Sequence, residues 1–384
     1  INDNFGHAVG DGVLKEVARR LLGHVRQGDT VTRVGGDEFV VLLPELSTVE
    51  QSAAARAMTI GEKLRQEISR PIALESHTCM TEASIGVTLF PKSAQGLDDL
   101  LREADIAMYR AKETGRNALT MFAHEMQAVL TERFALEQDL RTALAGQELR
   151  MYLQAKVNAA GAVQGAEALL RWQHPQRGLV APGLFIQIAE ESGLIVRIGA
   201  WILTQACSVI AQQRAQGRSL GIAVNVSARQ FQMADFVAQV SQILAETGAD
   251  PRLLTLEITE SLLLEDTEKI VARMDELAAL GVRFSIDDFG TGYSSLAYLK
   301  RLPVSELKID QSFVRGAPED KNDVAVIVAV VSMAHHLGFA VVAEGVETAE
   351  QQAFLAAQGC DYFQGYLHHR PEPAASWCGG LEPQ

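Results

Sequence analysis

Val282-Arg283-Phe284-Ser285-Ile286-Asp287-Asp288-Phe289-Gly290-Thr291-Gly292-Tyr293-Ser294-Ser295 sets a short apolar run directly against two aspartates and a glycine-rich loop. The run has the branched and aromatic content of a buried strand. Two carboxylates at the mouth of such a strand repel each other and lose hydration, at a cost of several kcal/mol per ion unless a cation compensates. The glycines that follow give the backbone the freedom to let a ligand approach closely. An Asp-Asp pair on its own is common in loops and helix caps, so its meaning depends on the rest of the chain.

Outward from this stretch, β-rich runs alternate with helical ones, the pattern of βα units around a parallel sheet. The runs are Met151–Lys156, Gly165–Trp172, Gly221–Val226, Leu253–Thr259, Val282–Asp287, Glu306–Asp310, Ala340–Glu344 and Asp361–Tyr366. Stretches rich in Ala, Leu and Gln follow most of them: Pro182 to Arg214, Ala228 to Glu246, Glu265 to Leu280 and Asp323 to Leu337. Eight strands predict a closed (β/α)8 barrel. Only a turn containing Gly161 joins the first two, too little for a crossover helix, so that pair is expected to be antiparallel. Barrel enzymes build their sites where strands end, and these ends carry Gln154, Glu167, Asn225, Glu257, Asp287, Asp288, Lys308, Asp310, Glu344 and Gln364. Converging carboxylates with an amide oxygen and a lysine suit a hard cation, Mg²⁺ or Mn²⁺ rather than zinc.

Glu167-Ala168-Leu169-Leu170-Arg171-Trp172, Asn225-Val226-Ser227, Leu256-Glu257-Ile258-Thr259-Glu260, Asp287-Asp288-Phe289-Gly290-Thr291-Gly292, Lys308-Ile309-Asp310, Ala343-Glu344-Gly345-Val346-Glu347 and Gln364-Gly365-Tyr366 occur in the order of an EAL domain. From about Glu125 onward the chain resembles this family of cyclic di-GMP phosphodiesterases. The resemblance implies hydrolysis of cyclic di-GMP to linear pGpG with two divalent cations, Mg²⁺ or Mn²⁺. It implies Glu167, Asn225, Glu257 and Asp287 as ligands of one cation, with Asp287 bridging to a second shared with Asp288 and Glu344. Lys308 and Gln364 would then orient the attacking water, and Arg171 would grip the phosphate as a planar fork. Gln154 would contact the nucleotide, Asp310 would stand near the second cation and the substrate, and Glu260 would anchor the loop that starts at Asp288. The family usually has Gln-Pro-Lys where this chain has Gln154-Ala155-Lys156, a departure that removes no catalytic group.

The preceding residues have a signature of their own, Arg33-Val34-Gly35-Gly36-Asp37-Glu38-Phe39 between two β runs, which reads as a hairpin. With Asn2-Asp3, Gly10-Asp11, Ala104-Asp105, Lys112 and Arg116-Asn117, the segment resembles a GGDEF domain of the diguanylate cyclase family, a nucleotidyl-cyclase-like α/β sandwich. The resemblance implies guanine recognition by Asn2 and Asp11, a nucleotide site at Gly35, Gly36, Asp37 and Glu38, and phosphate contacts from Lys112 and Arg116. Arg26-Gln27-Gly28-Asp29 is similar to the family's RxxD inhibitory site for cyclic di-GMP, which assigns Arg26 and Asp29. The strand that carries a further metal-binding aspartate in that family lies before Ile1, so the sandwich is expected to be incomplete at its N-terminus. The expected division is 1–122 for this domain, 123–150 for a connecting helix with apolar Met126, Val129, Leu130, Phe134, Leu140 and Leu144, and 151–384 for the barrel.

The net charge of −14, from 34 Lys and Arg against 48 Asp and Glu, argues against nucleic acid or an anionic membrane as partner. The four cysteines show no CxxC spacing, so a reduced, cytoplasmic setting is expected. The longest apolar stretch, Val324 to Ala334, is too short to span a bilayer. An upstream sensor or anchor is compatible with a chain that starts without Met. The expected function is phosphodiesterase activity on cyclic di-GMP in a homodimer, with the first domain as a GTP-binding or dimerising regulator. The alternatives are a bifunctional enzyme that also makes cyclic di-GMP and a catalytically silent receptor. His335-His336 and His368-His369 read as packing or surface pairs, because the metal site is already supplied with oxygen.

Overall fold

The computed structural model describes residues 7–74, 77–90, 96–115, 117–260, 262, 267–290 and 299–378. The chain divides into two compact units, Ile1–Ala135 and Leu136–Gln384.

In the first unit, β1 (Thr30–Gly35) and β2 (Glu38–Leu42) form the expected antiparallel hairpin, closing at Gly35↔Glu38 around Gly36 and Asp37. Such a two-residue turn needs positive φ, and Gly36 supplies it at +51°. β3 (Ile72–Leu74) and β4 (His77–Cys79) pair antiparallel, and β5 (Ile85–Val87) and β6 (Leu119–Met121) pair parallel, with the helix Leu97–Glu113 between them in sequence. Val13, Val17 and Leu21 recur at helical spacing in the helix His7–His24 and pack with Leu64 and Ile68 of the helix Glu50–Ile68.

The second unit is a closed barrel of eight strands: β7 (Leu149–Asn158), β8 (Val163–His174), β10 (Ile222–Asn225), β11 (Leu254–Thr259), β12 (Arg283–Phe289), β13 (Glu306–Ile309), β14 (Ala340–Ala343) and β15 (Tyr362–Phe363). β8 and β10 to β15 run parallel in that order. β7 is antiparallel to both β8 and β15 and closes the ring, as the Gly161 turn predicts. Two short strands, β9 (Gly178–Val180) on β8 and β16 (Glu372–Pro373) on β7, lie outside the ring.

Strand alternation divides the barrel between core and site. Phe284 and Ile286 of β12 are fully buried in the hydrophobic core, as are Leu307 and Ile309 of β13 and Leu256 and Ile258 of β11. Their neighbours of opposite parity, Ser285, Asp287, Glu306, Lys308 and Glu257, are buried and polar, and they line the interior. The helical stretch expected from Pro182 to Arg214 is two helices, Pro182–Ser192 and Ile195–Ala215, divided where Gly193 takes a left-handed φ of 79°. That from Ala228 to Glu246 is likewise two, Ala228–Phe231 and Phe236–Thr247. Ile195–Ala215 is long and apolar enough to cross a membrane by length and composition, and Ile198, Ile202, Leu203, Ala206 and Ile210 on it are buried. The helix His124–Ala143 packs Leu136, Leu140 and Ala143 with Trp172, Phe185 and Ile188, whereas Phe134 is 64% exposed.

After β15 the backbone passes so close to Val346 that a Cβ on Gly365 would sit 2.0 Å from its carbonyl oxygen and 2.3 Å from its nitrogen. Gly365→Ala is therefore expected to force the strand end apart and cost about 1–3 kcal/mol, read as a lower urea midpoint at unchanged m-value.

Candidate functional site

Consecutive residues of a regular strand point to opposite faces, so Asp287 and Asp288 would separate if β12 stayed regular. It does not. The pairing of β12 with β13 shifts register between Ile286 and Phe289, and Asp288 adopts a left-handed φ of 52°. A non-glycine residue in that region costs about 1–3 kcal/mol, a strain that recurs at functional sites. The kink puts carboxylate oxygens of Asp287, Asp288 and Glu344 within 4.8 Å of one another, and the Asp288 amide donates to Asp287 Oδ1 at 3.0 Å. A set of three converging carboxylates with no sulfur or imidazole fits a hard divalent cation.

Beside them lies Lys308, only 1% exposed. Its ammonium stands 2.5 Å from Glu344 Oε1, 2.9 Å from Glu257 Oε2, 3.2 Å from Asp287 Oδ1 and 3.4 Å from Glu167 Oε2. Glu167 also accepts from Asn225 Nδ2 and from Gln364 Nε2, both at 2.6 Å. Gln364 reaches Gln154 Oε1 at 3.3 Å, and Gln154 in turn donates to the His369 carbonyl at 3.0 Å. One side of the barrel mouth is thus a continuous hydrogen-bonded chain from β7 through the end of β15 to β8.

Burial disfavours the charge on Lys308, but Glu167, Glu257, Glu344 and Asp287 around it outweigh that and raise its pKa well above the ordinary lysine value. Four carboxylates exceed what one ammonium can neutralise. Burial, with the charge of Glu167 adding to it, pushes Glu257 well above the usual carboxylate range. Burial pushes Glu344 up to about 8 against the pull of Lys308, and it pushes Asp288 up to about 6, with Asp287 and Asp310 adding to it. For Glu167, burial raises the pKa, but Lys308 and hydrogen bonds from Gln364 and Asn225 leave it lowered overall. Without divalent cations the cluster balances its charge by holding protons.

Other expected site residues stand around this centre. Arg171 lies four residues beyond Glu167 on the same face of β8, its guanidinium 5.7 Å from the Tyr152 ring centre and donating to the Leu170 carbonyl. Asp310 caps the helix Gln311–Gly316 by accepting from the Ser312 amide at 2.9 Å. Glu260 is 4% exposed and accepts from the Gly290 amide at 3.3 Å, at the start of the loop it is expected to anchor. Residues 291–298 of that loop lie outside the described residues.

In the first unit, Gly35, Gly36, Asp37 and Glu38 form the exposed tip of the hairpin, and Asp11 and Lys112 are exposed on helices. Asn2 and Arg116 lie outside the described residues. Arg26 and Asp29 are paired with each other, Nε to Oδ1 at 3.0 Å, and Arg26 also donates to the Pro44 carbonyl. Of the histidines, His335 pairs with Asp361 at 3.0 Å and His369 packs edge-on against Trp377. The sequence reading missed an interior pair below the site, Lys156 and Glu306, 2.5 Å apart. The signal was present, because Glu306 lies two residues before Lys308 and therefore on the same face of β13.

The sequence profile of the family described as "EAL domain" matches residues 137–371. The chain belongs to the EAL domain family. Ahead of the EAL domain, the profile described as "Diguanylate cyclase, GGDEF domain" matches residues 1–118. The chain is 46% identical over 376 residues to the bifunctional diguanylate cyclase/cyclic di-GMP phosphodiesterase MucR of Pseudomonas aeruginosa, covering 97% of this chain and 54% of MucR. It is 39% identical over 378 residues to the cyclic di-GMP phosphodiesterase NbdA of the same organism, covering 98% of this chain and 48% of NbdA. It thus spans about half the length of these curated relatives. Among solved structures, the PaMucR phosphodiesterase in complex with c-di-GMP is 46% identical with a TM-score of 0.62, covering 63% of this chain and all but 1% of that one, which is matched over 99%. The EAL domain of Mycobacterium smegmatis DcpA is 34% identical with a TM-score of 0.52, covering 62% of this chain and 99% of that one.

A carboxyl whose folded pKa lies above its unfolded value stabilises the fold below the unfolded value, and that stability is lost as pH rises through the folded value. For Glu344 the window runs from 4.5 to about 8, and for Asp288 from 3.8 to about 6. Glu167 is shifted downward from 4.5 and Lys308 upward from 10.5, so neither opposes this trend between about pH 5 and pH 8. In the presence of chelator, the melting temperature of the EAL domain is therefore expected to fall from about pH 5 to about pH 8. Mg²⁺ or Mn²⁺ should recover the loss at the alkaline end by binding the folded state. A flat melting profile under chelator would contradict the charge arrangement described.

Proposed function

We propose that the barrel hydrolyses cyclic di-GMP to linear pGpG with two divalent cations, Mg²⁺ or Mn²⁺. The observation that carries this reading is the buried ring of carboxylates around Lys308, opening beside Asp287, Asp288 and Glu344 at the barrel mouth. MucR and NbdA, whose names state this activity, support it.

In this reading Glu167, Asn225, Glu257 and Asp287 would hold one cation, and Asp287, Asp288 and Glu344 would hold the other. When bound, the cations neutralise the phosphodiester and acidify water for in-line attack. The remaining work belongs to the chain. Lys308, kept protonated by its neighbours, holds its ammonium within the carboxylate ring, where it would donate to the attacking water and offset charge building on the phosphate oxygens. Gln364 fixes Glu167 and shares in orienting that water. Arg171, stacked on Tyr152, presents a rigid fork to the substrate phosphate, which suits a guanidinium better than an ammonium. Gln154 contacts the nucleotide, Asp310 borders Asp288 and the substrate, and Glu260 restrains the Gly290 end of the loop.

Residues 1–122 would act as a GTP-binding or dimerising regulator, joined through 123–150 to the phosphodiesterase at 151–384. Asp11, Gly35, Gly36, Asp37, Glu38 and Lys112 would contribute to the nucleotide site, with Arg26 and Asp29 as an inhibitory site for cyclic di-GMP. The hairpin tip, with its Gly-Gly-Asp-Glu turn intact, also favours a second reading in which the full-length protein makes cyclic di-GMP. Conversion of GTP to cyclic di-GMP by a version extended upstream of Ile1 would establish it.

The direct test is incubation of the homodimer or monomer, as purified, with cyclic di-GMP and Mg²⁺ or Mn²⁺. Accumulation of pGpG at enzyme-level concentrations is expected, and binding without product would replace the enzyme by a receptor. Asp287→Asn should lower kcat by at least about a thousandfold, since it removes the charge shared between both cation positions. Ca²⁺ should fail to support turnover, because it accepts longer and looser oxygen coordination than Mg²⁺.

A further inference from the structure

β7 runs against β8 and β15, so its residues descend through the barrel while those of β13 ascend. Gln154 and Lys156 step downward from the mouth, and Glu306 and Lys308 step upward toward it. The lower members of the two pairs meet: Lys156 Nζ lies 2.5 Å from Glu306 Oε2, with the side chains 17% and 10% exposed. The ammonium also sits 5.2 Å above the Tyr362 ring. The lysine stem passes Gly165, where a Cβ would meet Lys156 Cε at an ordinary contact distance of 3.7 Å. Among the described residues, Lys156 is the one cation paired with Glu306, and Glu306 Oε1 and the adjacent Ser285 Oγ are buried without partners.

We propose that Lys156 is a positioning residue for Lys308, acting through Glu306; this rests on reading the barrel as a metal-dependent phosphodiesterase. A buried carboxylate without a counter-ion draws in the nearest cation. Two strand residues span about 7 Å, within the reach of a lysine, so the next cation available to Glu306 is Lys308. When the cation sites are empty the carboxylates hold Lys308 at the mouth without help. When two divalent cations are bound, their charge of +4 nearly balances Glu167, Glu257, Asp287, Asp288 and Glu344, and the upward pull falls to about one charge, comparable with that of Glu306. Lys156 removes the competitor and leaves Lys308 at the mouth.

The test is a double-mutant cycle of Lys156→Met and Glu306→Gln in the full chain, with Lys156→Arg as the variant that keeps the charge. Lys156→Met should lower kcat about tenfold with KM for cyclic di-GMP within about twofold, and Lys156→Arg and Glu306→Gln should each stay within about threefold of the parent. Adding Glu306→Gln to Lys156→Met should restore kcat to within about threefold. A double variant as slow as Lys156→Met, or a Glu306→Gln variant equally slow, overturns the proposal. Mn²⁺ titration calorimetry reads the same effect without turnover. Lys156→Met should bind Mn²⁺ at least as tightly as the parent, because Lys308 competes less for the carboxylates, whereas a merely loosened barrel would bind it more weakly and overturn the proposal. If the parent binds Mn²⁺ but yields no pGpG, the phosphodiesterase reading fails, and the calorimetric cycle still decides the pairing. If Lys156→Met does not fold, recovery of the fold by the added Glu306→Gln together with parental kcat in Lys156→Arg upholds the proposal, and loss of kcat in Lys156→Arg overturns it.

Discussion

A single buried ammonium holds the mouth of the barrel together. Lys308 is within 3.4 Å of four carboxylates contributed by four other strands or strand ends, and none of those carboxylates could remain ionised at that depth without a neighbouring cation. Because the lysine is itself short of compensating all four, the centre is left with carboxylates whose pKa values are raised. That residual imbalance gives divalent cations a reason to bind, and binding to the folded state returns stability that the polar interior otherwise costs.

Most of this was legible in the sequence because it depends on strand periodicity. Eight β runs, with their polar residues near the ends, translate into a ring whose inward-facing members share one mouth, and the short Gly161 turn already dictates the antiparallel pair. Less was legible where local backbone overrides period. The kink at Asp288 cannot be read from the letters Asp-Asp, yet without it the two carboxylates would face away from each other. The break at Gly193 follows Glu190-Glu191-Ser192 between two helical stretches, where one left-handed residue ends the first helix. Lys156 and Glu306 come from strands far apart in sequence, and their meeting depends on β7 running against its neighbours.

The first unit illustrates the opposite limit. Its hairpin is local, and the Gly-Gly-Asp-Glu turn determines it almost alone. Among the described residues expected to hold nucleotide, Asp11, Gly35, Gly36, Asp37, Glu38 and Lys112 are exposed. Arg26 and Asp29 are each other's partners, so an anion arriving there has to compete with an existing ion pair. A sequence motif records which groups are present but not which of them are already engaged.

The reversed direction of β7 has a mechanical side. In a barrel of parallel strands alone, the chain would come in at the floor, remote from the chemistry. Here Leu149 begins β7 opposite Trp172, near the C-terminal end of β8, and the Trp172 indole is tied to Glu148 at 2.9 Å. The residues immediately before the barrel therefore reach it at its rim. Tension or rotation applied along the backbone from that direction is delivered five residues from Gln154, and so to the hydrogen-bonded chain that ends on Glu167.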